Sequence, residues 1–181
     1  MRFGKALFCT ALALATGAPL GLRSPQLWSA LRLGGAAAGA VAVGVAGSTA
    51  LPRVRVAMAG RDLPPGAGRW LVYEIPVGTV WSEEMAFRGA LGTVTANAFG
   101  AAGGRLVQAT VFGLSHIPDA RAAREPILGT VLATGLAGWM FAWLAERSGS
   151  LVAPMLAHLA INEAGALAAL AVQRRGGSTV T

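Results

Sequence analysis

Three stretches of this 181-residue chain, 6–22, 33–52 and 126–145, contain no Asp, Glu, Lys or Arg, and a fourth, 148–173, contains only Glu163. A helix rises about 1.5 Å per residue, so roughly 20 apolar residues cross the hydrocarbon of a bilayer. With 54% hydrophobic residues against 13% charged and a mean hydropathy of +0.57, too little polar surface remains to coat a water-soluble globule of this size. In lipid the backbone must satisfy its own hydrogen bonds, which leaves helices or closed barrels, and these stretches are too long for barrel strands. The fold expected is all-α, a polytopic transmembrane helical bundle of about six membrane segments whose polar helices meet at a central polar cavity. The single cysteine, Cys9, excludes an intrachain disulfide framework, shows no metal-ligand spacing, and reads as a small apolar residue on a membrane helix.

A net charge of +7 raises the question of nucleic acid. The basic residues fall in short clusters between apolar spans, without aromatic interleaving or a continuous basic face, so no nucleic-acid partner is expected. Topology accounts for them. With a cytoplasmic N-terminus, alternate connections place Arg2, Lys5, Arg53, Arg55, Arg61, Arg69, Arg121, Arg124, Arg174 and Arg175 inside, and Arg23, Arg32, Arg105 and Arg147 outside. That bias follows the positive-inside rule and predicts a multi-pass protein of the plasma membrane.

Residues 6–22 read as a retained helix, although Arg2 and Lys5 ahead of Ala13-Leu14-Ala15 also fit a secretory signal. In the second span, 33–52, Gly35 and Gly39 form a small-xxx-small pair that would let a neighbouring helix approach closely, or pair by chance in a Gly-rich segment. Residues 53–69 carry four arginines with Pro64 and Pro65 and read as an exposed loop. The organisation expected is 1–69 as N-terminal membrane helices with a basic cytoplasmic loop, 70–173 as a catalytic membrane core, and 174–181 as a short basic tail.

From Trp70 onward the apolar segments carry ionisable residues, each costing at least ~2.5–3.5 kcal/mol to place in a bilayer, which makes them functional by default. The segment 77–92 holds Glu83, Glu84 and Arg88, with Pro76 at its start and Gly92 at its expected end. Glu84 and Arg88 stand four apart in the order that favours an ion pair. Glu83, turned by ~100° on a regular helix, does not share that face and is left free for chemistry. The same three residues would also serve as a buried network locking helices together.

Only two histidines occur, and both lie in apolar segments. His116 ends 105–117, a segment too short to span unless 96–104 extend it or it is re-entrant. An imidazole shares protons near neutral pH. His158 and Asn162 stand at i and i+4 on one helical face, where they would either meet an oxyanion or act as polar glue between helices.

The ordered set Glu83-Glu84-x-x-x-Arg88, Phe112-x-x-x-His116 and His158-x-x-x-Asn162 resembles the three signature motifs of the CPBP intramembrane proteases, the CAAX protease and bacteriocin-processing family, also called the ABI or CAAX prenyl protease 2 family. Phe87-Arg88-Gly89 and Ser150-Leu151-Val152-Ala153-Pro154 resemble its usual context, and the likeness covers roughly residues 70–173. The resemblance implies an intramembrane peptidase acting on a membrane-associated peptide or protein within the lipid bilayer. Glu83 and His116 would activate the attacking water, His158 and Asn162 would supply the oxyanion site, and Glu84 with Arg88 would be a supporting pair. It leaves the cofactor open between a divalent metal such as zinc, held by Glu83, His116 and His158, and none at all. Many relatives have seven or eight membrane segments, so a homo-oligomer would compensate for a missing wall here. A non-cleaving bacteriocin-immunity or scaffold protein, and a small transporter, are the other classes these residues fit.

Overall fold

The structure, a computed structural model, describes residues 2–177, with side chains through Arg175. Among the described residues every regular element is a helix: α1 (Arg2–Ala15), α2 (Gln26–Ser48), α3 (Pro52–Ala59), α4 (Ala67–Arg69), two π-helical stretches, π1 (Trp70–Trp81) and π2 (Glu84–Leu91), then α5 (Gly92–Ser115), α6 (Ile117–Ala123), α7 (Ile127–Ser148) and α8 (Val152–Gly177). Three of them, α2, α7 and α8, are long and apolar enough to cross a membrane. Their 22 to 26 residues give about 33–39 Å of helix, enough for the ~30 Å of hydrocarbon.

The outer surface of these helices is that of a membrane protein. Leu128, Leu132 and Leu136 repeat every fourth residue along α7 and are each more than 60% exposed, and Val43 on α2 is 74% exposed. A stripe of large aliphatics at that spacing belongs against lipid tails, because water would make it an aggregation site. The chain is an integral, multi-pass membrane protein.

Several local expectations are corrected. The first helix ends at Ala15 instead of reaching residue 22, ahead of Gly17 and Pro19, and its 14 residues give only about 21 Å. It packs against both π-helical stretches, where Cys9 and Ala13 meet Met85 and Leu151, and Trp81 Nε1 donates to Thr10 Oγ1 at 2.8 Å. The second span starts at Gln26, takes in Arg32, and ends at Ser48. Part of the expected loop 53–69 is the helix α3, which Pro52 initiates at its first turn, where a missing N–H costs nothing. The basic tail begins within α8, since that helix continues to Gly177; residues 178–181 lie outside the described residues.

The small-residue contact also falls elsewhere than expected. A Cβ on Gly35 or Gly39 would meet nothing within 4 Å, whereas one on Gly34 would sit 2.7 Å from the backbone of Ala153. The close approach of α2 and α8 therefore runs through Gly34, one residue away in sequence and about 100° away around the helix. Ala30, Ala153 and Ala157 continue that seam into a core with Phe112, Phe141 and Leu144.

Between Ala67 and Ser115 the chain stays helical through Gly92, where an end was expected. Pro76 lies inside π1. A proline ring has no N–H and collides with the carbonyl four residues back, and a wider i→i+5 turn relieves that clash. The break comes at Gly100, whose φ of 73° and ψ of 170° only glycine adopts readily, and there α5 doubles back on itself. Thr95 Oγ1 donates to the Gly104 carbonyl at 3.2 Å across this hairpin. The segment that leads to His116 is thus extended by the residues before it, as a returning arm.

Candidate active site

The Glu83/Glu84 pair lies at the junction of π1 and π2, and the wide turn changes what a regular helix would do with it. With i→i+5 spacing each residue advances by a smaller angle, so neighbouring side chains diverge less. Both carboxylates consequently reach the same imidazole. His158 Nδ1 lies 2.7 Å from Glu84 Oε1, and His158 Nε2 lies 3.9 Å from Glu83 Oε2. His158 comes from α8, so the first and third motifs meet across the bundle.

Glu84 is fully buried and holds two partners at one oxygen, since Arg88 Nη1 also donates to Oε1 at 3.2 Å. The i, i+4 pairing read from the sequence is present. Arg88 Nη2 donates to the Gly138 carbonyl at 3.3 Å, and its guanidinium lies 4.1 Å from the Phe112 ring centroid and 4.9 Å from that of Phe141. The buried guanidinium lies between a carboxylate, a carbonyl and two aromatic faces, while its Nε has no hydrogen-bond partner among the described residues. A carboxylate at Glu84 accepts from Nδ1–H, and Nε2 is the ring nitrogen that faces Glu83. Phe141 stacks on the His158 ring at 4.9 Å and holds its plane.

Glu83 is only half-buried and is less free than its sequence position suggested. Lys5 Nζ, from α1, lies 3.9 Å from its Oε1. Its Oε2, the atom that faces His158, is buried and has no hydrogen-bond partner among the described residues.

His116 caps the end of α5 at the start of α6. Its Nδ1 meets the Phe112 carbonyl at 2.8 Å, and its ring packs edge-on against Phe112 at 4.7 Å. Phe112 also touches His158, ring to ring, at 6.1 Å. The two imidazoles therefore share one aromatic neighbour, and each has its Nδ1 tied to an acceptor and its Nε2 left over. Asn162 Nδ2 donates to the His158 backbone carbonyl at 3.1 Å, which uses one of its two amide hydrogens.

An Nδ1–H given to a carboxylate or carbonyl is the outer-shell pattern that metal-ligating histidines usually show. The remaining donors do not complete a site. Among the described residues no three His, Cys, Asp or Glu side chains come together in a way that could hold a metal ion, so Glu83, His116 and His158 do not fit one as a set. The cavities bordered by motif residues are separate as well: one of about 560 Å³ is lined by Arg88, and one of about 170 Å³ by Asn162 with Trp70 and Ile161.

Sequence reasoning missed Lys5, Phe141 and Gln108. Lys5 and Phe141 belong to other helices and carry no local signal. Gln108 does, as an uncharged polar residue in an apolar stretch, and it is almost completely buried.

A family model described as Type II CAAX prenyl endopeptidase Rce1-like matches residues 66–164. No match was found among curated proteins or among solved structures.

Proposed function

The chain belongs to the Rce1-like type II CAAX prenyl endopeptidase family, and on that premise we propose that it hydrolyses a peptide bond of a membrane-associated protein or peptide with water activated by Glu83 and a histidine. The family implies a peptidase, and the catalytic groups are part of the proposal. The observation that carries it is the His158 ring held between two carboxylates, 2.7 Å from Glu84 and 3.9 Å from Glu83.

The chemistry follows from one tautomer of His158, with its proton on Nδ1. Nε2 and Glu83 Oε2 are then both acceptors, and a water that donates one hydrogen to each presents its oxygen lone pairs outward. Attack of that oxygen on the scissile carbonyl carbon passes a proton to Glu83, acting as general base. The tetrahedral oxyanion is met by the second amide hydrogen of Asn162, and His116 Nε2 takes part from its place beside Phe112. Collapse breaks the C–N bond as Glu83 returns the proton to the leaving amine. Glu84 and Arg88 orient His158 and do not touch substrate. In this reading His158 completes the water site that the resemblance gave to His116. A cytoplasmic N-terminus is part of the same proposal, supported by the excess of basic residues in the alternate connections.

Purified protein and its Glu83→Gln form, tested side by side on a library of membrane peptides, decide the matter. General-base loss should lower cleavage about 10²–10⁴-fold. Equal product profiles from the two forms would overturn the assignment and favour a protein that binds without cutting.

A further inference from the structure

At one end of the bundle two arginines from different helices share a groove that holds no acid. Arg32 on α2 and Arg147 on α7 line an open groove of about 430 Å³, together with Ser29, Leu33 and Ala36. Both arginines are exposed, and among the described residues neither pairs with a carboxylate. Glu146 adjoins Arg147 in sequence and is already taken by Arg105. Arg32 Nε donates to the Trp28 carbonyl at 3.4 Å, which leaves the four hydrogens on its two Nη atoms. The side chains of Arg147 and Ser29 make no hydrogen bond among the described residues. Two like charges on one groove repel, and an anion between them removes that cost.

The position of the groove narrows the choice of anion. Arg32 immediately precedes the charge-free run 33–52, and Arg147 follows the charge-free run 126–145. The two guanidiniums therefore mark one boundary of the hydrocarbon layer. Exposed tryptophans stand one helical turn from each, Trp28 beside Arg32 and Trp143 beside Arg147, and indoles gather at the headgroup level of a bilayer. Each arginine also heads an exposed apolar stripe at helical spacing: Ala36, Gly39 and Val43 on α2, and Trp143, Met140, Leu136 and Leu132 on α7. A soluble phosphate would use the arginines and leave both stripes unused. A zwitterionic lipid would bring its own ammonium up to the guanidiniums. An anionic phospholipid matches both features, because its phosphodiester suits the planar fork of arginine and its two acyl chains suit two apolar tracks.

We propose that this groove binds the headgroup of an anionic phospholipid, with Arg32 and Arg147 donating to its phosphate oxygens and Ser29 donating to the same group. The site is independent of the peptidase reading, since no residue assigned to cleavage lines it. Arg32 lies outside residues 66–164, which match the family, and Arg147 lies within them. A bound headgroup would thus tie α2 to the family core.

The test titrates full-length protein in neutral detergent with phosphatidylglycerol, with phosphatidylcholine of the same chains, and with inorganic phosphate, and counts bound molecules by native mass spectrometry. Phosphatidylglycerol should bind more tightly than phosphatidylcholine. Arg32→Gln and Arg147→Gln should each weaken phosphatidylglycerol about fivefold, the equivalent of about 1 kcal/mol per basic residue, and leave phosphatidylcholine unchanged. Arg23→Gln, at the same end but outside the groove, should change neither. Equal affinity for the two lipids, or no response to either substitution, would overturn the proposal. An equal loss from Arg23→Gln would replace the site by diffuse attraction, and displacement of the lipid by inorganic phosphate at matching concentrations would make it a site for free anions; either result overturns it. Without added lipid both groove variants should melt at the wild-type temperature, and a lower value would reveal an internal partner for that arginine and overturn the premise that it is free.

Discussion

Two ion pairs in this molecule use the same chemical groups and do different work. Arg88 and Glu84 have side chains with no exposure at all, whereas Arg105 and Glu146 pair near the polar end of α7 with side chains 19% and 39% exposed. Arg105 also lies 5.0 Å from the Trp139 ring, an aromatic contact like those of Arg88. What separates the pairs is the alternative each charge would have if its partner were lost. Arg105 can turn toward solvent or headgroups, so its pair contributes little. Arg88 and Glu84 cannot, and Glu84 has a third group, His158, depending on it. A buried pair is costly to form and more costly to break, which makes it a poor stabiliser and a firm positioning device.

The largest expected effect that would sharpen this contrast is on Arg88. Arg88→Met leaves the Glu84 carboxylate buried against one histidine, and chemical unfolding of the purified protein should register a loss of about 3–5 kcal/mol. A loss below about 1 kcal/mol would break the comparison. Next comes His158→Phe, which keeps an aromatic ring against Phe141 but removes one charge-assisted bond to Glu84; the expected loss is about 1.5–3 kcal/mol, with cleavage abolished. Arg105→Ala should cost the least, about 0.2–1 kcal/mol, and the double-mutant cycle with Glu146 should give a coupling of the same small size. Glu83→Gln stands apart from this series. Its large effect on cleavage should come with little loss of stability, since Glu83 Oε2 has no hydrogen bond among the described residues and the ion pair of Oε1 to Lys5 is long and partly exposed.

The membrane class, the helical fold and two of the long spans, α7 and α8, were legible, the spans to within four residues at each end, because a run without charges is a direct statement about solvent. The pair Glu84–Arg88 was legible for a similar reason, as i, i+4 spacing is a local property of a helix. Where backbone geometry departed from the regular helix, the reading failed. Glu83 and Glu84 were separated by an angle that the π-helical turn narrows, and both came to face His158. Gly35 and Gly39 could be read as a contact seam or as a chance pairing, and the seam of α2 runs instead through Gly34 because the azimuth of a helix is set by its neighbours. The hairpin at Gly100 was invisible among 25 glycines, of which few occupy a backbone region closed to other residues.

Composition and spacing alone thus determined the solvent of this protein, the secondary structure it must use, and the short list of candidate polar residues, since each of these follows from local transfer energies and local periodicity. Only the tertiary structure decided which histidine stands between the glutamates, that Lys5 reaches Glu83, and that Gln108 is buried with both its hydrogen-bonding ends unmet among the described residues. Those facts depend on how separate helices are turned about their axes, and a helix in a bilayer has no preferred rotation until its neighbours are packed against it.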